Sequence, residues 1–171
     1  ALWELVQNAR DTSSEARIKV ELNDTNIIFS HHGKPFDYTS FRALVKQDSS
    51  KDRNGADQVG QYGTGFMTTH AFNRLVYVSG PFVVKTGEET IKGYVQVKDF
   101  ELDRTLVDTA EGPKKMKEQL EKVKQLWKGE LLQEINDDAT SFRYDLTPSQ
   151  VRNVSDQLSS AIHLMPFVLV I

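Results

Sequence analysis

Gly60-Gln61-Tyr62-Gly63-Thr64-Gly65-Phe66 is a glycine-rich turn that runs straight into a predicted helix over 64–72. Glycine permits tight turns and close backbone approach to a ligand, and the free N–H groups at a helix start attract anions. The turn lacks the Gly-Lys-Ser/Thr of a P-loop, and no parallel strand-turn-helix unit surrounds it as in a dinucleotide fold. The stretch therefore predicts a phosphate-binding turn outside the two commonest phosphate-binding folds.

The helix predicted over residues 1–14 carries three polar side chains on one face. Glu4, Asn8 and Asp11 are spaced i, i+4 and i+7, while apolar residues such as Leu5 occupy the opposite face. An Asn side chain offers Mg²⁺ a neutral oxygen ligand, and a Glu side chain can accept a proton from water. The alternative is a solvated amphipathic helix without chemistry.

A second polar segment, Phe29-Ser30-His31-His32-Gly33-Lys34-Pro35-Phe36, follows a predicted strand over 26–30. Gly33 and Pro35 predict a loop there. Two adjacent histidines can suggest a metal, but neighbouring side chains on a strand point in opposite directions and no third ligand has a diagnostic spacing. We therefore do not expect a metal on His31 and His32.

The remaining pattern predicts an α+β domain, a two-layer sandwich with helices packed on one face of a mixed, mainly antiparallel sheet. Further helices are predicted at 39–45, capped by Thr39 or Asp37, and at 148–162, capped by Thr147. A charged helical stretch at about 111–135, broken or bent near Gly129, is expected to be an insertion packed on the domain; a partner or interdomain surface is the alternative. The other predicted strands are 18–22, 74–79, 82–86, 91–98, 141–146 and 166–171.

Composition limits the class of protein. The 171 residues are typical of one domain, and the net charge of −3 gives no general attraction to nucleic acid. The absence of cysteine excludes disulfides and thiolate metal sites, and no apolar run is long enough for a membrane span. Both ends are typical of cuts through structure, which predicts a single domain that comes from a longer polypeptide and is truncated at both ends. We expect a cytoplasmic protein.

The order of these motifs resembles the GHKL superfamily of ATP-binding domains, which comprises gyrase, heat-shock chaperones, histidine kinases and MutL. Glu4-x-x-x-Asn8-x-x-Asp11, a Gly-centred loop after a strand, a polar lid and then Gly60-x-x-Gly63-x-Gly65-Phe66 follow the family's order. Gly60 to Phe66 is most similar to the ninety-kilodalton heat-shock branch. Ala139-Thr140-Ser141-Phe142 is similar to the strand that closes the family's adenine pocket. The resemblance covers nearly the whole chain and implies the Bergerat fold.

The resemblance also implies roles for individual residues. Glu4 would be the general base that activates water, Asn8 would ligate Mg²⁺, and Asp11 would support the site. Thr140 would lie near the adenine of ATP or ADP. The rest of the implied nucleotide site comprises Gly33, the phosphate-binding residues Gly60, Gly63, Thr64 and Gly65, their neighbours Gln61, Tyr62 and Phe66, and an ATP lid over 46–59 with Lys46, Lys51 or Arg53 facing phosphate.

The sequence departs from the family at His31, which stands where an Asp usually accepts a hydrogen bond from adenine, and at Pro35, which replaces a Gly. A similar form occurs in chaperone-like ATPases that resemble the repeats of sacsin. A neutral imidazole accepts more weakly than a carboxylate, so adenine selectivity is the property this change affects.

The resemblance implies a slow Mg-dependent ATPase whose nucleotide state moves the other domains of a larger protein, with a homodimer left open. The alternatives are a nucleotide sensor that does not hydrolyse, a histidine kinase catalytic domain, and gyrase-like or MutL-like work on DNA, which the net charge does not favour.

Overall fold

A computed structural model describes residues 2–12, 17–46, 65–86 and 90–168. In chain order its elements are α1 (Leu2–Thr12), β1 (Ile18–Leu22), β2 (Asn26–His31), α2 (Tyr38–Lys46), a 3₁₀ helix (Gly65–Ala71), β3 (Leu75–Lys85), β4 (Ile91–Asp103), α3 (Gly112–Leu126), β5 (Thr140–Asp145) and α4 (Pro148–Val168). The described part of the chain thus has the predicted α+β composition, with four α-helices and a five-stranded sheet.

The sheet has the strand order β1-β2-β5-β3-β4. Every pairing between these described strands is antiparallel, so the prediction of a mixed sheet was wrong for this part of the chain. The hairpins β1-β2 and β3-β4 are local, whereas β5 returns from far along the chain to join them. The sheet therefore depends on one distant strand at its centre.

The core lies between one face of the sheet and the helices. Alternate residues of the strands, such as Ile27 and Phe29, are buried, because successive side chains of a strand point to opposite faces. The helices bury residues such as Leu5, Phe41 and Val123 in the same cluster. This packing is consistent with the predicted two-layer sandwich.

Two helix starts follow from local capping. Asp37 Oδ1 accepts a hydrogen bond from the Ser40 N–H (2.8 Å) in front of α2, so Asp37 rather than Thr39 is the cap. Before α4, the Thr147 N–H donates to Gln150 Oε1 (2.9 Å) and the Gln150 N–H donates to Thr147 Oγ1 (3.4 Å). This reciprocal pair is a capping box and confirms the predicted start at Pro148.

Several predicted boundaries were wrong. Strands 74–79 and 82–86 form one strand, β3, with a register shift between Val78 and Gly80. Beyond Ser79, β3 pairs with β4 alone, so it tolerates Pro81, which has no N–H to donate.

The charged stretch 111–135 is helical only over Gly112–Leu126, after which Leu132 forms an isolated bridge with Tyr94 instead of continuing the helix. The chain bends at Gly129, near the break or bend that the sequence predicted. The predicted last strand from Pro166 is part of α4 as far as Val168, where a proline in the last turn removes one hydrogen bond without ending the helix. Residues 169–171 lie outside the described ranges.

Candidate functional site

The register of two neighbouring strands brings together two of the predicted site residues. His31 at the end of β2 lies directly opposite Thr140 at the start of β5. Both side chains are on the core side, with exposed fractions of 7% for His31 and 1% for Thr140. The ring of His31 stacks on Phe142 (centroid distance 6.2 Å, interplanar angle 15°) and is tilted against Phe29 (6.1 Å). The sheet therefore packs the His31 imidazole against two aromatic rings.

Burial favours the neutral form of His31. Loss of solvent lowers its pKa below the ordinary 6.5. A hydrogen bond with the backbone of His32 partly offsets the effect of burial, and the charge of the His32 side chain adds a smaller lowering of the pKa. Among the described residues, Nδ1 is fully buried and has no hydrogen-bond partner. A buried, neutral ring nitrogen without a partner is what a ligand's N–H group needs as an acceptor.

α1 presents polar side chains above a buried apolar face, as predicted. Leu5 and Ala9 are buried in the core, Asn8 is exposed and Glu4 is half-buried. The helix packs against the 3₁₀ helix that begins at Gly65. The helix with the Glu/Asn/Asp motif therefore lies next to the segment that follows the glycine-rich turn.

Other predicted site residues are placed only in part. Asp11 lies in α1 and Gly65 and Phe66 lie in the 3₁₀ helix, but their side chains are outside the description. Gly33 follows β2 and is half-buried, and Lys46 is exposed at the end of α2. The remaining predicted residues, Gly60, Gln61, Tyr62, Gly63, Thr64, Lys51 and Arg53, lie outside the described residues.

The sequence did not predict a polar cluster beside the His31–Thr140 pair. His32 Nδ1 lies 2.6 Å from Asp138 Oδ1 and 3.7 Å from Asp137 Oδ1. The hydrogen bond from His32 lowers the pKa of the Asp138 carboxyl below its ordinary 3.8. As expected, the two histidines diverge, with His31 buried and His32 at the surface. The cluster was missed because its members are 106 residues apart and meet only through the β2-β5 pairing.

A large cavity lies away from these residues. It has a volume of about 910 Å³ and opens between α3 and β4, where Phe100, Leu126 and Leu132 contribute to its wall. Neither His31, Thr140 nor Asn8 lines it. Cavity size alone would therefore have indicated a different place on the molecule from the one indicated by the sequence motifs.

Comparison with protein-family models, with curated proteins and with solved structures gave no match. No helix in the described part of the chain is both long enough and apolar enough to cross a membrane. What supports a function is therefore the arrangement of the side chains themselves.

Proposed function

We propose that this chain is an ATP-binding domain of the GHKL type with the Bergerat fold, and that it hydrolyses ATP slowly with Mg²⁺. The observation that carries the proposal is the β2-β5 register, which sets His31 opposite Thr140 and leaves a buried ring nitrogen without a partner. These are the two residues that the resemblance assigns to adenine. The contact of α1 with the 3₁₀ helix gives further support, since it joins the other two motifs.

The residues fit the adenine base. Nδ1 of the neutral His31 would accept a hydrogen bond from the exocyclic amino group, which leaves the ring's other nitrogen as the N–H donor. The apolar contacts of His31 with Phe29 and Phe142 fix the ring plane, so the acceptor direction is set before the ligand arrives. A keto oxygen at the same place, as in guanine, would offer Nδ1 no proton. We therefore expect a preference for adenine nucleotides.

The residues of α1 fit Mg²⁺ and water. The exposed Asn8 carboxamide supplies the kind of oxygen ligand that Mg²⁺ accepts, and Mg²⁺ when bound would neutralise charge on the phosphates. Glu4, one turn earlier on the same helix, would accept a proton from the water that attacks the terminal phosphorus. The products would be ADP and inorganic phosphate, with the proton on Glu4.

Calorimetric titration with Mg-ADP tests the binding part. We expect one saturable site, weaker or no heat with Mg-GDP, and loss of binding in Asn8→Ala. Asn153→Ala is the matched control, because Asn153 is also an exposed asparagine on a helix but lies in α4. Absence of heat with any nucleotide from protein that melts cooperatively would refute the proposal, as would equal losses in the two variants.

Phosphate release under steady-state conditions tests hydrolysis separately. Glu4→Gln keeps the size of the side chain but removes its capacity to accept a proton, so we expect Mg-ADP binding to persist and turnover to fall. Removal of a general base typically costs about 10²–10⁴-fold in rate. Tight binding with no turnover even in the unaltered protein would favour the sensor alternative and contradict the ATPase proposal. The proposal includes movement of the other domains of a larger protein by the nucleotide state, and it leaves a homodimer open.

A further inference from the structure

His32, Asp137 and Asp138 form a compact group of metal-ligand side chains. One ligand atom from each, the imidazole nitrogen and two carboxylate oxygens, lies within 4.8 Å of the other two. His32 follows β2, and the two aspartates precede β5, so the sheet pairing brings them together. The side chains are 34%, 70% and 48% exposed, respectively, which leaves them open to an ion from solution. The group is separate from Asn8, which the proposed function assigns to Mg²⁺.

We propose that His32, Asp137 and Asp138 bind a divalent transition-metal ion such as Zn²⁺. One imidazole nitrogen with two carboxylate oxygens is a ligand set that such ions accept, and three protein ligands leave a position for water. Zinc lies about 2.0–2.2 Å from nitrogen and oxygen ligands, so ligand atoms around it stand roughly 3.3 Å apart. The observed separations of 2.6 and 3.7 Å lie on either side of that value, so small side-chain rotations would open the site.

The residues around the group favour the binding of a cation. Asp137 Oδ1 accepts a hydrogen bond from the Ala139 N–H (2.9 Å), which fixes its carboxylate in front of β5. Asp137 also lines a cavity of about 310 Å³ whose wall includes Glu134 and Asn136. The cavity leaves room for the water ligands of an ion, and side chains that carry oxygen atoms surround that space. Arg17 opposes binding, because its positive charge acts on Asp138.

A bound ion would link the end of β2 to the start of β5. That junction is otherwise held by the backbone ladder and by the hydrogen bond between His32 and Asp138. Because the ion would bind the folded chain and not the separated segments, it would raise the melting temperature. A purely structural His–Asp pair predicts no such response to a metal.

Calorimetric titration of the full chain with Zn²⁺ is the test, with Co²⁺ absorption in the visible range as a second readout of coordination. We expect one saturable site, a rise in melting temperature, and at least about tenfold weaker binding in His32→Ala and in Asp138→Asn. Asp156→Asn removes an exposed aspartate from α4, and Asn8→Ala removes the assigned Mg²⁺ ligand; both should bind Zn²⁺ as the unaltered protein does. Melting curves without metal show that each variant is folded.

Two results would overturn the proposal. The first is no saturable binding up to about 1 mM Zn²⁺ by folded, unaltered protein. The second is binding that is unchanged in the variants. Unchanged binding in His32→Ala would leave His32 and Asp138 as an ordinary His–Asp pair. Unchanged binding in both Asp137→Asn and Asp138→Asn would leave His32 as a lone ligand. Since Asn8→Ala is measured in parallel, loss of the nucleotide site and loss of this site are distinguishable.

Discussion

Replacing His31 with leucine is expected to change how stability depends on pH. In the unfolded chain this histidine has its ordinary pKa of 6.5, whereas burial lowers its pKa in the fold. Between those two values the unfolded chain holds a proton that the folded chain does not. A group with a depressed folded pKa of this kind makes the fold less stable as pH falls through 6.5. His31→Leu removes that proton and hence its contribution to the slope.

The magnitude follows from the unfolded pKa. If the buried ring stays neutral, acidification from about pH 7 to about pH 5 lowers the free energy of unfolding by up to about 2 kcal/mol through His31 alone. His70 acts in the same direction, because burial and then the charges of Arg104 and Arg74 lower its pKa. The unaltered protein should therefore lose more stability than His31→Leu, which should keep the His70 contribution.

The carboxyl groups of Asp37 and Asp103 do not obscure this window. Burial alone would raise the pKa values of Asp37 and Asp103, but hydrogen bonds from Ser40 and Thr105 hold both below 3.8. They therefore titrate well below about pH 5.

At pH 7 the leucine variant should be no less stable than the unaltered protein. The substitution removes a buried nitrogen without a partner, and a buried nitrogen of this kind costs about 1–3 kcal/mol of stability.

Urea unfolding at the two pH values measures the slope directly. Adding His70→Gln to His31→Leu should flatten the dependence further, which separates the two histidines. A slope in His31→Leu equal to that of the unaltered protein would refute the reasoning, because it would mean that His31 titrates alike in the folded and unfolded chain. A large loss of stability at pH 7 would show that Nδ1 has a partner in solution.

Three substitutions test the packing around the site. Phe41→Ala should lower the free energy of unfolding by about 3–5 kcal/mol in urea titration, because the ring is fully buried in the aromatic core. Arg104→Met should lower it by about 1–3 kcal/mol, since the Leu44 carbonyl at the end of α2 loses its hydrogen-bond donor. Gly80→Ala should lower the melting temperature, because its φ is +148° and an added Cβ would lie 2.9 Å from Ala139 O. Unchanged stability in any of the three would contradict the packing described.

Local chemistry made part of the fold predictable. The Thr147-Pro148 start of α4 and the Asp37 cap of α2 need only neighbours within one turn, and the structure has both. The apolar stripe of α1 was equally visible, since Leu5 and Ala9 are spaced for one helix face.

The errors arose where distant residues decide the outcome. Gly80-Pro81 would end an isolated strand, but β4 supports β3 past this point and absorbs the irregularity as a bulge. The motifs that resemble the GHKL family indicated His31 and Thr140 separately, and only the β2-β5 register shows that they face each other. His32, Asp137 and Asp138 carry no short-range signal at all, so the cluster could be found only in three dimensions.

The last strand that the structure describes, β5, lies in the middle of the sheet, between a hairpin made early and a hairpin made later. On a ribosome the hairpins would emerge with their inner edges, β2 and β3, unpaired, and β5 would be the strand that joins them. Contacts such as that between His32 and Asp138, 106 residues apart, make the closing step slow, because a long loop must be ordered before they form. Assembly of the corner that holds His31 and Thr140 therefore waits for β5, and a chain that ended before β5 would lack half of that corner.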